Sequence, residues 1–258
     1  MSTFYKKVVN RLSQIDTESK QINFLDERFY ERKGKYYPSI TSVLQYYPKG
    51  KQFENWLKDV GWTADHIAQK SAEDGTLTHK LVERYLEGEK IEWLNQDGSA
   101  KYPLEVWKMT LKFAEFWETY KPTLIESEIH LFSDEYEIAG TCDLVVEIDK
   151  EIWILDVKTS NHLLNIYDLQ TAAYTKCWNE SFEEKVTRAG ILWLKSSKRG
   201  PDKTNKKIQG KGWELYESSR TVEENWKLFT HVHALYKLEN PDAKPTFDSF
   251  PLTIQLSN

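Results

Sequence analysis

Two carboxylates and an amine fall close together in Gly140-Thr141-Cys142-Asp143 and Asp156-Val157-Lys158, followed by Gln170-Thr171-Ala172-Ala173-Tyr174. Neighbouring carboxylates repel, and a divalent cation between them is the common reason such a group is tolerated. Lys158 lies two residues beyond Asp156, so the pleat of a strand turns both side chains to one face. The chemistry open to this group is phosphodiester cleavage by a metal-activated water.

Each residue also has a plainer reading. Asp156 follows the apolar run Ile152-Trp153-Ile154-Leu155, where a carboxylate is costly to bury unless it is paired or bound to a metal. Alone, it could simply reach water at the end of a strand. A second D-x-K triplet, Pro201-Asp202-Lys203, sits in an obvious loop, so the triplet by itself is weak. The weight comes from the combination with a G-T-x-D strand thirteen residues upstream of Asp156. Gln170 and Tyr174 share a helix face at i, i+4 spacing, and could equally be part-buried residues that satisfy each other. His79, in Gly75-Thr76-Leu77-Thr78-His79, could be an ordinary helix histidine.

The elements that must position these residues follow from periodicity and punctuation. Gln21 to Tyr30 and Lys35 to Tyr37 flank Arg32-Lys33-Gly34-Lys35 and predict a short hairpin. Ser39 or Thr41 can cap a helix that begins near Ser42. Helices are predicted over about Lys51 to Val60, with Phe53, Trp56 and Leu57 on one side, and over Ala64 to Leu86, where Gly75 is a candidate kink. A third covers about Leu104 to Tyr120 and is ended by Pro122. Three short strands follow, Leu124 to Phe132, Glu137 to Glu147 and Glu151 to Thr159. Asp134-Glu135 and Asp149-Lys150 turn between them, which makes an antiparallel meander. Then come a helix over Asn161 to Trp178, strands over Arg188 to Lys195 and Gly212 to Glu217, and a helix over Thr221 to Leu238. Thr221 and Glu224 form a capping box. The expected fold is mixed α/β, a central sheet flanked by helices. Residues 1–122 would form a hairpin and helical region covering the site, 123–240 the core, and 241–258 an irregular tail, in one integrated domain.

Bulk properties exclude several function classes. The chain has 258 residues, 40% hydrophobic and 29% charged, which suits a globular protein with a real core. No apolar run approaches a membrane span, so no membrane partner is expected. Met1 to Asn10 is polar, which argues against export, and a reducing cytoplasm is the expected compartment. Cys142 and Cys177 are the only cysteines, too few for an iron–sulfur cluster or a four-thiolate zinc site. The net charge of −5 opposes bulk coating of nucleic acid but allows a local basic track. Lys195, Lys198, Arg199, Lys203, Lys206, Lys207 and Lys211 against Asp202 give one stretch a charge of +6, either a DNA-binding track or a solvated loop. Ten tryptophans and fourteen tyrosines offer faces for base stacking, although most must serve the core.

Taken in order, Gly75 to His79, Gly140 to Asp143, Asp156 to Lys158 and Gln170 to Tyr174 resemble the motifs of PD-(D/E)xK nucleases of the RecB type. These are a G-T-x-x-H histidine, a G-x-x-D strand, a D-x-K strand and a Q-x-x-x-Y helix. Tyr37 to Leu44 is similar to the Y-P-S-[VI]-T-x-V-L segment of a subgroup that holds phage exonucleases and the mitochondrial genome maintenance exonuclease. The resemblance runs from about Tyr37 to Trp193. It implies a restriction-endonuclease-like core with an N-terminal helical roof, and Mg²⁺ or Mn²⁺ held by His79, Asp143, Asp156 and the Val157 carbonyl. Lys158 would stabilise charge on the phosphate, with Gln170 and Tyr174 holding Lys158 or the phosphate. Glu128 resembles an acidic residue often found on the preceding strand and could reach a second metal, but the residues favour a solvated strand face. The cysteine count places the chain with the cluster-free branch. The implied activity is a DNA exonuclease acting on single-stranded or free ends in replication, recombination or repair, in a bacterial or phage-infected cell. An endonuclease on the same core and a catalytically silent nucleic-acid-binding module are the alternatives. A silent module would lack a carboxylate or the lysine, and neither is missing here.

Overall fold

The computed structural model describes residues 19–24, 27–196, 212–245 and 253–255. Strands β1 (Lys20–Phe24), β2 (Glu27–Arg32) and β3 (Lys35–Pro38) form a small antiparallel sheet in that order. The expected hairpin is the β2–β3 half of it, and the segment read as one strand from Gln21 to Tyr30 is two. Lys33 and Gly34 turn between β2 and β3 with φ of +53° and +77°. Two consecutive positive φ values match the right-handed twist of the flanking strands.

Helix α1 (Ile40–Leu44) is capped by Ser39, whose hydroxyl accepts from the Ser42 amide at 2.8 Å. It starts two residues before Ser42, and Thr41 lies inside it. Helix α2 (Gly50–Val60), a 3₁₀ turn (Gly61–Thr63) and helix α3 (Ala64–Leu86) follow, then helix α4 (Leu104–Tyr120). Gly75 does not break α3, which runs on for 23 residues. A Cβ at Gly75 would meet Thr159 Oγ1 at 3.0 Å, so the glycine serves a close approach and not a bend. Lys121, with φ +47°, closes α4 just before Pro122.

The main sheet has the order β4 (Thr123–Ser133), β5 (Ile138–Ile148), β6 (Glu151–Lys158), β7 (Arg188–Trp193), β8 (Glu214–Tyr216). The β4–β5–β6 meander is antiparallel as expected, and Asp149 and Lys150 turn with φ of +52° and +72°. Strands β6 and β7 are parallel, a pairing that needs a crossover, and helix α5 (Asn165–Ser181) supplies it. That helix begins four residues later than Asn161, because Ser160 Oγ bonds the His162 carbonyl at 2.8 Å in a lead-in loop. Strand β7 stops at Trp193, short of Lys195. Helix α6 (Val222–Glu239) has the expected capping box, with Thr221 Oγ1 accepting from the Glu224 amide and the Glu224 carboxylate accepting from the Thr221 amide.

The main sheet is buried on both faces. One cluster packs Ile129, Leu131, Ile138 and Ile154 against α1, α5 and α6. The other packs Leu144, Val146, Leu155 and Val157 against Leu81 of α3 and Val106, Met109, Phe113 and Phe116 of α4. Each such side chain contributes about 1.5–3 kcal/mol of transfer free energy. The small sheet docks on β4 and β5, where Tyr30, Tyr37, Phe132 and Ala139 form a third cluster. Among the described residues, no helix is long and apolar enough to cross a membrane.

Candidate active site

Strand register assembles the acids. Ile129 pairs with Cys142 and Ser127 with Leu144, so Glu128 lies opposite Asp143. The β5–β6 ladder ends at Leu144–Leu155, and one more residue sets Asp156 beside Asp143. Three carboxylates therefore occupy one row across three strands. Alternation breaks at this row. Cys142 and Leu144 should share a face, yet they belong to opposite core clusters. Across the pair, Glu128 has φ +48°, a left-handed conformation that costs of order 1–3 kcal/mol for a residue with a side chain. The chain spends stability here to re-aim side chains out of the core. Past Leu155, the Asp143 carboxylate takes over the ladder's role, with the Val157 amide donating to Asp143 Oδ2 at 2.6 Å.

Helix α3 brings the histidine. His79 Nδ1 lies 3.6 Å from Glu128 Oε1 and 3.7 Å from Asp143 Oδ1. Ligand atoms of His79, Glu128 and Asp143 all fall within 4.8 Å of one another. Glu128, read from its residues as a solvated strand face, is thus part of the cluster. Lys158 Nζ contacts Asp156 Oδ2 at 2.6 Å, and its ammonium sits 4.8 Å from the centre of the Tyr167 ring. Gln170 Nε2 donates to the Tyr174 hydroxyl at 2.7 Å, so these two are bonded to each other while Lys158 is held by Asp156. Tyr174 lies against Gly140, where a Cβ would come within 2.6 Å of the ring. The glycine of G-T-x-D is there to admit that ring.

The electrostatics describe a site short of positive charge. Burial pushes Asp143 above the usual carboxylate range, although His79 and Lys158 oppose the shift. Burial likewise raises Asp156 to about 6, against the pull of Lys158. Burial alone would depress His79, but Asp143 and Glu128 carry it up to about 9. Burial works against the Lys158 ammonium too, and Asp156 and Asp143 more than compensate, so its pKa is raised. Two buried acids with raised pKa values and a histidine held in its cationic form are what a divalent cation would relieve. Two carboxylates with an imidazole form a donor set that fits such an ion.

The group lies on the floor of a cleft of about 1600 Å³. The small sheet and β4–β5 form one wall, α3 another, and the segment from Val157 to Tyr174 a third. Lys195 lies on the cleft and contacts Asn161 Oδ1 at 3.4 Å. Lys198, Arg199, Lys203, Lys206, Lys207 and Lys211 fall outside the described residues. Tyr167 was not singled out from the sequence. Its signal was available, since it lies three residues before Gln170 and so shares the helix face of Gln170 and Tyr174.

Residues 50–246 match the model of the PD-(D/E)XK nuclease superfamily. The chain belongs to that superfamily and its fold is the one expected of it. Such enzymes are nucleases that typically use divalent metals, and their substrates are nucleic acids. The solved crystal structure of SSO0001 is similar over 68% of this chain and 89% of its own, at 13% identity and a TM-score of 0.28. No curated protein matches the sequence.

Proposed function

We propose that this nuclease is a Mg²⁺- or Mn²⁺-dependent deoxyribonuclease of the RecB type that degrades DNA from single-stranded ends. One observation carries the reading. His79, Glu128 and Asp143 converge within 4.8 Å on the same cleft floor as the Asp156–Lys158 pair. His79, Asp143 and Glu128, with Asp156 and the Val157 carbonyl at the edge of the group, would hold the cation. A bound divalent ion would lower the pKa of a water and offset charge on the scissile phosphate.

The chain's own residues do the rest. Lys158 places a fixed ammonium beside the acids, aimed at the phosphate oxygens where charge builds in the transition state. Asp156 and the Tyr167 ring hold that ammonium in place, which avoids reorganisation during the reaction. Gln170 and Tyr174 hold each other and close the wall next to it. The end preference rests on the resemblance of Tyr37 to Leu44 and the four ordered motifs to cluster-free RecB-type exonucleases. The same kinship suggests work in DNA replication, recombination or repair in the cytoplasm of a bacterial or phage-infected cell.

The test uses a labelled linear single strand and its circularised form with Mn²⁺. Stepwise shortening of the linear strand alone is the expected result. Equal cutting of the circle would replace the exonuclease with an endonuclease. No cutting of either, with a folded protein, would leave a binding module.

A further inference from the structure

Helix α2 is amphipathic, and among the described residues none of its side chains joins a core cluster. Phe53, Trp56, Leu57 and Val60 recur at i, i+3, i+4 and i+7, the spacing of a buried stripe. Yet no described side chain of α2 is buried, Leu57 is 40% exposed, and Trp62 in the following turn is 93% exposed. The start of α3 stands equally free, with Asp65 through Glu73 all exposed. Phe53, Trp56 and Val60 are half-buried and Leu57 is exposed, an apolar stripe outside every core cluster of the described residues and suited to a ligand.

The first aromatic of the stripe, Phe53, reaches the catalytic cleft. Lys49, Lys51 and Phe53 line the cleft, as do Ser71, Ala72 and Thr76 of α3. Those α3 residues lead one or two turns down to His79. Phe53 and Trp56 follow one another with ring centres 5.7 Å apart and planes tilted by 32°. Lys49 Nζ sits 4.8 Å from the centre of the Phe53 ring. A ring with a cation beside it matches the two parts of a nucleotide, a base to stack and a phosphate to neutralise. Bases offer their faces to such rings only when unpaired, because a duplex hides them in its own stack.

We infer that α2 is a stacking platform that takes the unpaired bases of a single strand, on Phe53 first and Trp56 next, with Lys49 and Lys51 on the adjoining phosphates. This rests on the nuclease reading of the cleft and adds the surface by which single strands are distinguished from duplex. The platform lies outside the metal cluster, so its role is to hold the strand and not to cut it.

The experiment measures affinity of the full chain, in EDTA, for a fluorescein-labelled thirty-nucleotide oligo-dT and for a blunt duplex of equal length. Wild type is compared with Phe53→Ala, Trp56→Ala and the double variant. Leu238→Ala, which removes an exposed leucine far along α6, is the control. Each stacking variant should weaken oligo-dT binding about tenfold, the double variant more, with duplex affinity within about twofold and Tm unchanged. Trp56→Phe keeps a ring and should retain most of the affinity. Unchanged oligo-dT affinity in folded variants would overturn the inference, as would equal losses on single strand and duplex. Variants that dissociate a dimer in sedimentation while binding oligo-dT normally would mark the stripe as a self-association surface and also overturn it. Cleavage by wild type with Mn²⁺ is scored separately. Binding through α2 without cutting would sink the nuclease reading alone, and cutting with indifferent α2 variants would sink this inference alone.

Discussion

Helices α4 and α2 carry the same kind of apolar stripe and put it to opposite uses. On α4, Val106, Met109, Phe113 and Phe116 are buried against α3 and the sheet. On α2, none of Phe53, Trp56, Leu57 and Val60 is buried, and Phe53 lines the cleft. Helix α3 connects the two regimes, buried at Leu81 and Val82 and exposed from Asp65 to Glu73. Its His79 sits where one regime gives way to the other. Amphipathicity therefore reports that a face needs covering, and neighbours decide whether protein or ligand covers it.

The largest effect should come from the packed side. Phe113 is fully buried and meets Tyr85 edge-on at 6.0 Å. Phe113→Ala should cost about 3–5 kcal/mol and lower Tm by about 10 °C. Cleavage per folded molecule at low temperature should remain near wild type, read by calorimetry beside a cleavage assay. Selective loss of activity would mean the two regions are not separable.

On the cleft side the order reverses. Lys158→Ala should retain the wild-type Tm and lose roughly 10²–10³ in cleavage rate. EDTA should abolish cleavage by wild type. A fully active Lys158→Ala enzyme would refute the assignment of the ammonium.

Acid should separate the regions again. His233 of α6 is 6% exposed, its Nε2 has no hydrogen-bond partner among the described residues, and burial drives its pKa down to about 4. The unfolded chain, with a histidine near 6.5, binds the extra proton first. The His233 contribution to stability is therefore complete above about pH 6.5 and is lost as pH drops toward 4, by up to about 2–3 kcal/mol. His233→Phe, stacked on Phe229 as the imidazole is, should flatten that part of the urea-midpoint profile. A slope that persists unchanged in the variant would move the effect to other groups.

The smallest expected effect concerns Tyr167. A ring beside an ammonium is worth about 0.5–2 kcal/mol. Tyr167→Ala should lower kcat by a few-fold to about thirtyfold with KM little changed. Tyr167→Phe should restore it, and loss in KM alone would indicate substrate contact in place of lysine positioning.

Much of this was readable before the structure, for reasons that differ by residue. Asp156 and Lys158 stood out because they follow an apolar run and period-2 geometry puts both on one face, and Asp143 because it closes the G-T-x-D step. The Thr221 capping box was visible because its partners are local. Glu128 reads as a solvated strand face, and its side chain is 35% exposed, but register with Asp143 and a left-handed backbone, neither of which composition encodes, also bring it beside His79. Gly75 suggested a kink, whereas its reason is the Thr159 hydroxyl, 84 residues away in the chain. The stripe on α2 was legible as helix, but only the fold reveals that it joins no core cluster of the described residues.

We propose that His79, Glu128 and Asp143 hold one divalent ion, with Asp156 alongside. Anomalous diffraction from a crystal soaked in Mn²⁺ tests it most directly. The expected result is a peak bounded by His79, Glu128 and Asp143 with Asp156 alongside, and its loss in Asp143→Asn. A wild-type crystal with an open cleft and no peak there, or a peak bound only elsewhere, would contradict it.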